Sequence, residues 1–375
     1  MKFLFTCGGT AGHINPALGV AQRLKELLPD CEILFVGADG HMETRLVPRE
    51  GFPIKTVTIT NISREKSLEG LKHNAETVKN VFIAMAQAKK IIKEFKPDVV
   101  IGTGGYVCYP VLKAAHSLHI PTVVHESNAL PGLTTKMLAG STDRILVGFE
   151  ESKQYYKHQE RVIVTGTPVR QEFKNSDKAA ARAKLGLDPD KPLVVSVWGS
   201  LGADFMNKTM VGFIQKALGN PFFGLIHSAG HGGYKKMLED MDRAGIKNAK
   251  EHGMDVREYI YDMPLVMAAA DLVVCRSGAS TLSELTVLGR PAILVPSPNV
   301  VNNHQEKNAR VLEKAGAAVL IPESEITDDK LLGAVSLLLS RPATLDAMAE
   351  QMKKIGEADA TEKIADIILD LAKKH

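Results

Sequence analysis

Short runs of apolar residues alternate along the whole chain with longer stretches in which apolar positions return every three or four residues. The short runs read as strands, the longer stretches as amphipathic helices, and their alternation as βα units on parallel sheets. In the first half, strands are predicted at 2–7, 32–36, 98–102, 122–125, 144–147 and 162–165. In the second half they are predicted at 193–198, 224–228, 271–275, 292–295 and 317–321. Most of these runs end in Gly, Ser, His or Asn just before a helical pattern, and in open α/β sheets that carboxyl edge is where ligands bind.

The two halves begin alike. Phe3-Leu4-Phe5-Thr6-Cys7-Gly8-Gly9-Thr10 is answered by Val194-Val195-Ser196-Val197-Trp198-Gly199-Ser200. Each is an apolar strand, a glycine turn, a hydroxyl residue and then a helix. The predicted fold is α/β, with two Rossmann-like domains whose parallel sheets face each other across a cleft. Residues 1–170 would form the first domain and 171–342 the second, with the polar run 175–192 as the looser connection. The final helical pattern, 343–375, either caps the second domain or packs back on the first.

A chain of 375 residues suits two domains, and 45% hydrophobic with 24% charged residues excludes a disordered chain. Lys+Arg 46 against Asp+Glu 43 leaves +3, too near neutral for a general nucleic-acid binder, so any basic surface must be local. Cys7, Cys31, Cys108 and Cys275 show no C-x-x-C spacing, which points to a reduced cytoplasmic protein without a zinc site or disulfides. The first residues read as a strand rather than a signal peptide. No apolar run reaches the roughly 18 residues of a membrane span, so the expectation is a soluble protein or one lying on a membrane.

Three polar loops follow strands of the first half. Gly8-Gly9-Thr10-Ala11-Gly12-His13 lets backbone approach a ligand and places a histidine for base work. Gly102-Thr103-Gly104-Gly105-Tyr106 and His125-Glu126-Ser127-Asn128 with Pro131-Gly132 lie on the same edge. Together they predict a concave polar surface for a large polar ligand. The first loop does not fit G-x-G-x-x-G, although Asp39 at the end of the second strand keeps a dinucleotide site in play.

In the second half, Cys275-Arg276-Ser277-Gly278-Ala279-Ser280-Thr281-Leu282-Ser283-Glu284 follows a strand. Its glycine turn and helix start offer N–H groups and hydroxyls to a diphosphate. Glu284, one turn on, can accept two ribose hydroxyls or simply favour the positive helix end. Ser200 marks a second phosphate-type turn, and Asn302-Asn303-His304-Gln305 an amide-rich loop suited to a sugar. No carboxylate cluster suggests a metal, and no cofactor is expected.

In these motifs, and in Gly166-Thr167-Pro168-Val169-Arg170 and Gln305-Glu306-Lys307-Asn308-Ala309, the chain resembles the MurG family of bacterial peptidoglycan glycosyltransferases over essentially its whole length. The resemblance implies a GT-B fold and an inverting, metal-independent reaction. N-acetylglucosamine would move from UDP-GlcNAc to the C4 hydroxyl of MurNAc in undecaprenyl-linked lipid I, making lipid II. It implies catalytic or polar roles for His13, Tyr106 and Asn207. Donor contacts are implied for Thr10, Ala11, Gly12, Asn128, Arg170, Ser200, Ile260 (by backbone to uracil), Ala279, Ser280, Thr281, Leu282, Ser283, Glu284 and Gln305. A second glycine loop that commonly reads G-G-S-Q-G-A is here Trp198-Gly199-Ser200-Leu201-Gly202-Ala203, so contacts of that glutamine do not transfer.

The implied acceptor puts the protein on the cytoplasmic face of the cell membrane. Val78, Phe82, Met85, Ala88, Ile92 and Phe95 recur at helical spacing among Lys66, Lys72, Lys79, Lys89, Lys90 and Lys93. They read either as a core stripe with a solvated basic face or as a basic-rimmed apolar surface for anionic lipid. The segment Ser67-Leu68-Glu69-Gly70-Leu71 is a further source of exposed apolar residues. Two rival functions share the nucleotide: a UDP-GlcNAc 2-epimerase-like enzyme and a non-catalytic UDP-sugar-binding protein.

Overall fold

The structure, a computed structural model, describes residues 1–60, 67–199, 202–220 and 222–374, without the side chains of 68–76, 78 and 301. Two compact units emerge, one from Met1–Val169 with Glu357–His375 and the other from Arg170–Gly356.

The first unit carries β1 (Lys2–Thr6), β2 (Glu32–Ala38), β3 (Ile54–Val57), β4 (Val99–Gly102), β5 (Thr122–Glu126), β6 (Arg144–Val147) and β7 (Val162–Val164). They form one parallel sheet in the order β3-β2-β1-β4-β5-β6-β7. The second unit carries β8 (Leu193–Val197), β9 (Gly224–Ser228), β10 (Met254–Arg257), β11 (Leu272–Cys275), β12 (Ala292–Leu294) and β13 (Ala318–Leu320), ordered β10-β9-β8-β11-β12-β13. Both orders are the doubly wound pattern in which the chain reverses direction across the sheet between the first and fourth strands. The predicted α/β fold of two Rossmann-like domains is therefore the observed one.

Alternation along β1 shows why this sequence makes a two-faced sheet. Phe3 and Phe5 point into one core with Ile14, Ala17 and Phe35, while Leu4 points into the other with Ala84, Ala88 and Val111. Phe5 stacks on Phe35 with ring centroids 5.2 Å apart. Helices covering both faces leave the strands no solvated side, which is why the central ones read as unbroken apolar runs.

The C-terminal pattern, expected as one helical segment, is two helices, Pro342–Ile355 and Ala360–Lys373, parted at Gly356. The first belongs to the second unit. The other lays Ile364, Ala365, Ile368 and Leu371 into the Phe3 and Phe5 core of the first unit.

The helix Leu68–Phe95 divides the apolar stripe expected from its spacing. Ala84, Ala88, Ile91 and Ile92 are buried, whereas Phe82 is 68% exposed and Ile83 38% exposed. Phe82 is not part of the inward stripe; with Ile83 it lies between exposed Lys79, Lys90 and Lys93. Of the expected lipid-facing residues, Lys66 and the side chains of Leu68, Leu71, Lys72 and Val78 lie outside the described residues. No single helix among the described residues is long and apolar enough to cross a membrane.

Candidate active site

In the first unit the loops after β1 and β4, flanking the point where strand order reverses, pack directly on one another. Gly8 N donates to Gly104 O at 3.3 Å. Gly105 has φ +91°, and a Cβ there would sit 2.3 Å from Gly8 O, so only glycine permits the approach. The ring of His13 lies against Gly104, where a Cβ would come within 2.5 Å of its Cδ2.

His13 opens the helix Ala11–Leu27, and Thr103 Oγ1 donates to its carbonyl at 2.7 Å. Its Nδ1 lies 3.0 Å from Gly8 O and 3.3 Å from Thr10 Oγ1. A carbonyl only accepts, so Nδ1 carries the ring proton and neutral His13 keeps its lone pair on Nε2. Thr10 is exposed, and Ala11 and Gly12 are partly so. Tyr106 has a buried hydroxyl without a partner, and burial together with the Glu43 charge pushes its pKa to about 12.

Glu43, absent from the sequence-derived set, is fully buried. Its Oε2 accepts from Gly9 N at 3.2 Å and its Oε1 from Ala38 N at 2.9 Å. Glu126 likewise organises the third loop, accepting from the backbone N–H and Nδ2 of Asn128, from Gly132 N and from Thr135 Oγ1. His125 donates Nε2–H to Gly166 O at 2.9 Å, and burial lowers its pKa, so it stays neutral and structural.

In the second unit the helix Ala279–Leu288 begins after Gly278 with no side-chain cap and no acidic residue in its first turn. A Cβ on Gly278 would meet nothing within 4 Å, so the space before these free N–H groups is open. Ser280 Oγ is buried with no partner. Ser283 Oγ turns back to Ala279 O at 3.0 Å. Leu282 is wholly buried and spends its N–H on Gly278 O, so it supports the turn and presents nothing to a ligand.

Glu284 has no hydrogen-bond partner among the described residues, and burial raises its pKa to about 7 despite the charge of Arg170. Gln305 Oε1 accepts from Ser297 N at 2.9 Å, and its carbonyl accepts from Ser277 Oγ at 2.8 Å. The first bond fixes the Gln305 side chain with Nε2 left to donate, and the second holds its backbone. Ile260 is buried beside the exposed Tyr261, and its backbone N–H and C=O make no hydrogen bond among the described residues. Asn207 is buried, with Nδ2 bonded to Ala229 O at 2.9 Å and Oδ1 unpartnered. Ser200 and Leu201 lie outside the described residues.

Residues 3–147 match the glycosyltransferase family 28 N-terminal domain and residues 193–364 the glycosyltransferase family 28 C-terminal domain. The chain belongs to glycosyltransferase family 28. Among relatives of this family 28 chain is the UDP-N-acetylglucosamine–N-acetylmuramyl-(pentapeptide) pyrophosphoryl-undecaprenol N-acetylglucosamine transferase of Acetivibrio thermocellus, 46% identical, with 100% of this chain and 99% of the relative covered. The enzyme of the same name from Halalkalibacterium halodurans is 40% identical over 100% of both chains. The crystal structure of MurG from Acinetobacter baumannii superposes with a TM-score of 0.78 at 26% identity, covering 98% of this chain and 99% of that one. UDP-GlcNAc 2-epimerase from Neisseria meningitidis, at 15% identity and a TM-score of 0.65 over 99% and 100% of the two chains, shares the fold alone.

Two stretches of this family 28 chain read Asp-x-Asp, Asp188-Pro189-Asp190 and Asp240-Met241-Asp242. Neither is a metal cluster: Asp188 accepts from Asp190 N, and Asp240 pairs with Arg243. Among the described residues no group of three or more His, Cys, Asp or Glu side chains is placed to hold a metal ion.

Proposed function

We propose that this family 28 glycosyltransferase moves N-acetylglucosamine from UDP-GlcNAc to the C4 hydroxyl of MurNAc in lipid I, forming lipid II. One observation carries the donor half of this reading: an unpartnered carboxylate, Glu284, stands one turn inside a helix start whose N–H groups are uncapped and open. Anionic diphosphate is favoured at that helix end, and ribose hydroxyls would satisfy Glu284. The unbonded backbone of Ile260 suits the paired donor and acceptor edge of uracil. Ser280 Oγ would donate to the diphosphate, Gln305 Nε2 to the sugar, and Arg170 would counter the diphosphate charge.

The acceptor oxygen attacks C1 of the sugar from the face opposite UDP, so the α-linked donor gives a β-linked product. His13 Nε2, the ring nitrogen left without a proton, takes the hydroxyl proton. The departing diphosphate is stabilised by preorganised N–H donors instead of solvent that must reorient. Thr10, Ala11 and Gly12 supply the backbone that approaches the substrates, Tyr106 would lie on the acceptor side, and Asn128 would contact the donor sugar. Asn207, locked to Ala229, would hold the turn after β9.

The lipid acceptor would be met at the outward face of the helix Leu68–Phe95. On this helix the exposed Phe82 and Ile83 follow exposed Lys79 and precede exposed Lys90 and Lys93, an apolar spot with cations further along the helix on either side, suited to the cytoplasmic leaflet of a membrane bearing anionic lipid.

The test is product analysis after incubating the chain with UDP-GlcNAc and a short-chain lipid I analogue. One added N-acetylhexosamine in β-linkage, made only with the analogue present, supports the reading. N-acetylmannosamine products formed without the analogue would replace it with epimerase chemistry.

A further inference from the structure

His13 sits in the first turn of a helix, where the positive end of the backbone dipole disfavours the imidazolium that a general base must become. A base in that position needs a compensating negative charge, yet no carboxylate is bonded to its ring. The bond it does make leads to one. His13 Nδ1–H donates to Gly8 O at 3.0 Å. That carbonyl and the N–H of Gly9 belong to one peptide unit, and Gly9 N–H donates to Glu43 Oε2 at 3.2 Å. The path is therefore imidazole, peptide, carboxylate, in two hydrogen bonds.

We infer that Glu43 is the positioning residue of His13, acting through the peptide that joins Gly8 to Gly9. A peptide whose N–H is held by a carboxylate is polarised, and its carbonyl becomes the stronger acceptor. This fixes the proton on Nδ1, keeps the Nε2 lone pair for the substrate, and stabilises the imidazolium as it forms, the work done by a directly bonded carboxylate in other histidine bases.

The placement of Glu43 is specific to that task. It is fully buried at the start of the helix Glu43–Arg49, with its second oxygen anchored by Ala38 N at 2.9 Å. Gly8 and Gly37 give it room, since a Cβ on either would come within 2.5 Å of its side chain. The titratable groups facing it are Cys7, Cys108 and Tyr106, and Tyr106 in turn meets the ring of His41 at 5.8 Å. Burial, with the Glu43 charge as a further cause, raises both thiols and the phenol, holding all three uncharged at neutral pH.

The inference rests on the reading of His13 as the base, and its test separates the two. In the full chain labelled with ¹⁵N-histidine, with the His13 signals assigned by their loss in His13→Gln, the neutral ring should be the Nδ1–H tautomer. In Glu43→Gln, which keeps the shape and removes the charge, the His13 titration midpoint should fall by about 0.5–1 pH unit. The acid limb of kcat/KM should move down with it, while UDP-GlcNAc affinity stays within about twofold. An Nε2–H tautomer in the unaltered chain overturns the relay, and needs no variant to fold. An unmoved midpoint in a Glu43→Gln chain with native circular dichroism overturns it too. A midpoint that falls while the kinetic limb stays put supports the relay and removes His13 as the base.

Discussion

Donor binding should depend on pH in a direction set by Glu284. In the free chain its carboxyl lies at about 7, because burial strips water from it and Arg170 only partly offsets the loss. Ribose hydroxyls donate best to the ionised form, so UDP-GlcNAc should return the group toward its ordinary value of 4.5. With those two values, affinity at pH 6 is about tenfold weaker than at pH 8, a difference of ~1.4 kcal/mol, and about half a proton is released on binding at pH 7. Titration calorimetry without acceptor, in buffers of different ionisation heat, reads both quantities. UDP-GlcNAc suits the measurement because its doubly esterified diphosphate does not titrate in this range. Glu284→Gln should bind more weakly at pH 8 and show a flat profile. Affinity that is constant from pH 6 to 8, or that tightens toward pH 6 with no proton released, would remove Glu284 from the nucleotide site.

The same raised carboxyl has a cost to the fold without ligand. A group whose folded pKa lies above its unfolded value stabilises below the unfolded value and loses that contribution as pH rises through the folded one, here from about 4.5 to 7. Glu284→Gln should therefore raise the thermal midpoint at pH 8, by up to ~3 kcal/mol of stability, and change it little at pH 4, as calorimetric melts will show. His13→Ala should lower kcat by on the order of 10²–10⁴ with UDP-GlcNAc affinity nearly unchanged; a loss confined to KM for the acceptor would make His13 a binding group. Phe82→Ser with Lys79→Glu and Lys90→Glu should release the protein from anionic vesicles, each cation being worth about 1 kcal/mol there, while turnover of a soluble lipid I analogue persists. Equal loss of both would tie these residues to the fold or the acceptor.

The central strands were legible because both of their faces are covered, so their apolar runs are unbroken. Two strands escaped the pattern, β3 and β10, and both are sheet edges. Met254-Asp255-Val256-Arg257 alternates apolar with polar residues, and Ile54-Lys55-Thr56-Val57 sets two exposed polar residues between its apolar ends, so neither edge strand forms an unbroken apolar run. The helix at 68–95 was legible as amphipathic, but the spacing of Phe82 fitted an inward stripe that packing denies it.

At the site, the glycine loops and the helix start at Ala279 were readable because backbone conformation and free N–H groups demand particular residues at particular offsets. Glu43 was not. It acts on a turn more than thirty residues earlier, and only the parallel register that sets Thr6 beside Val36 brings the end of β2, and the helix after it, to the first glycine loop. A lone glutamate at a helix start reads as ordinary dipole complementarity. Its task is visible only once the partners of its two oxygens are known.

Release of UDP, followed with and without a lipid I analogue, tests the proposed transfer most directly. Release that rises in proportion to the analogue, and matches the N-acetylglucosamine found on it mole for mole, is the predicted result. Release that is indifferent to the analogue, or that leaves the analogue unglycosylated, would contradict it.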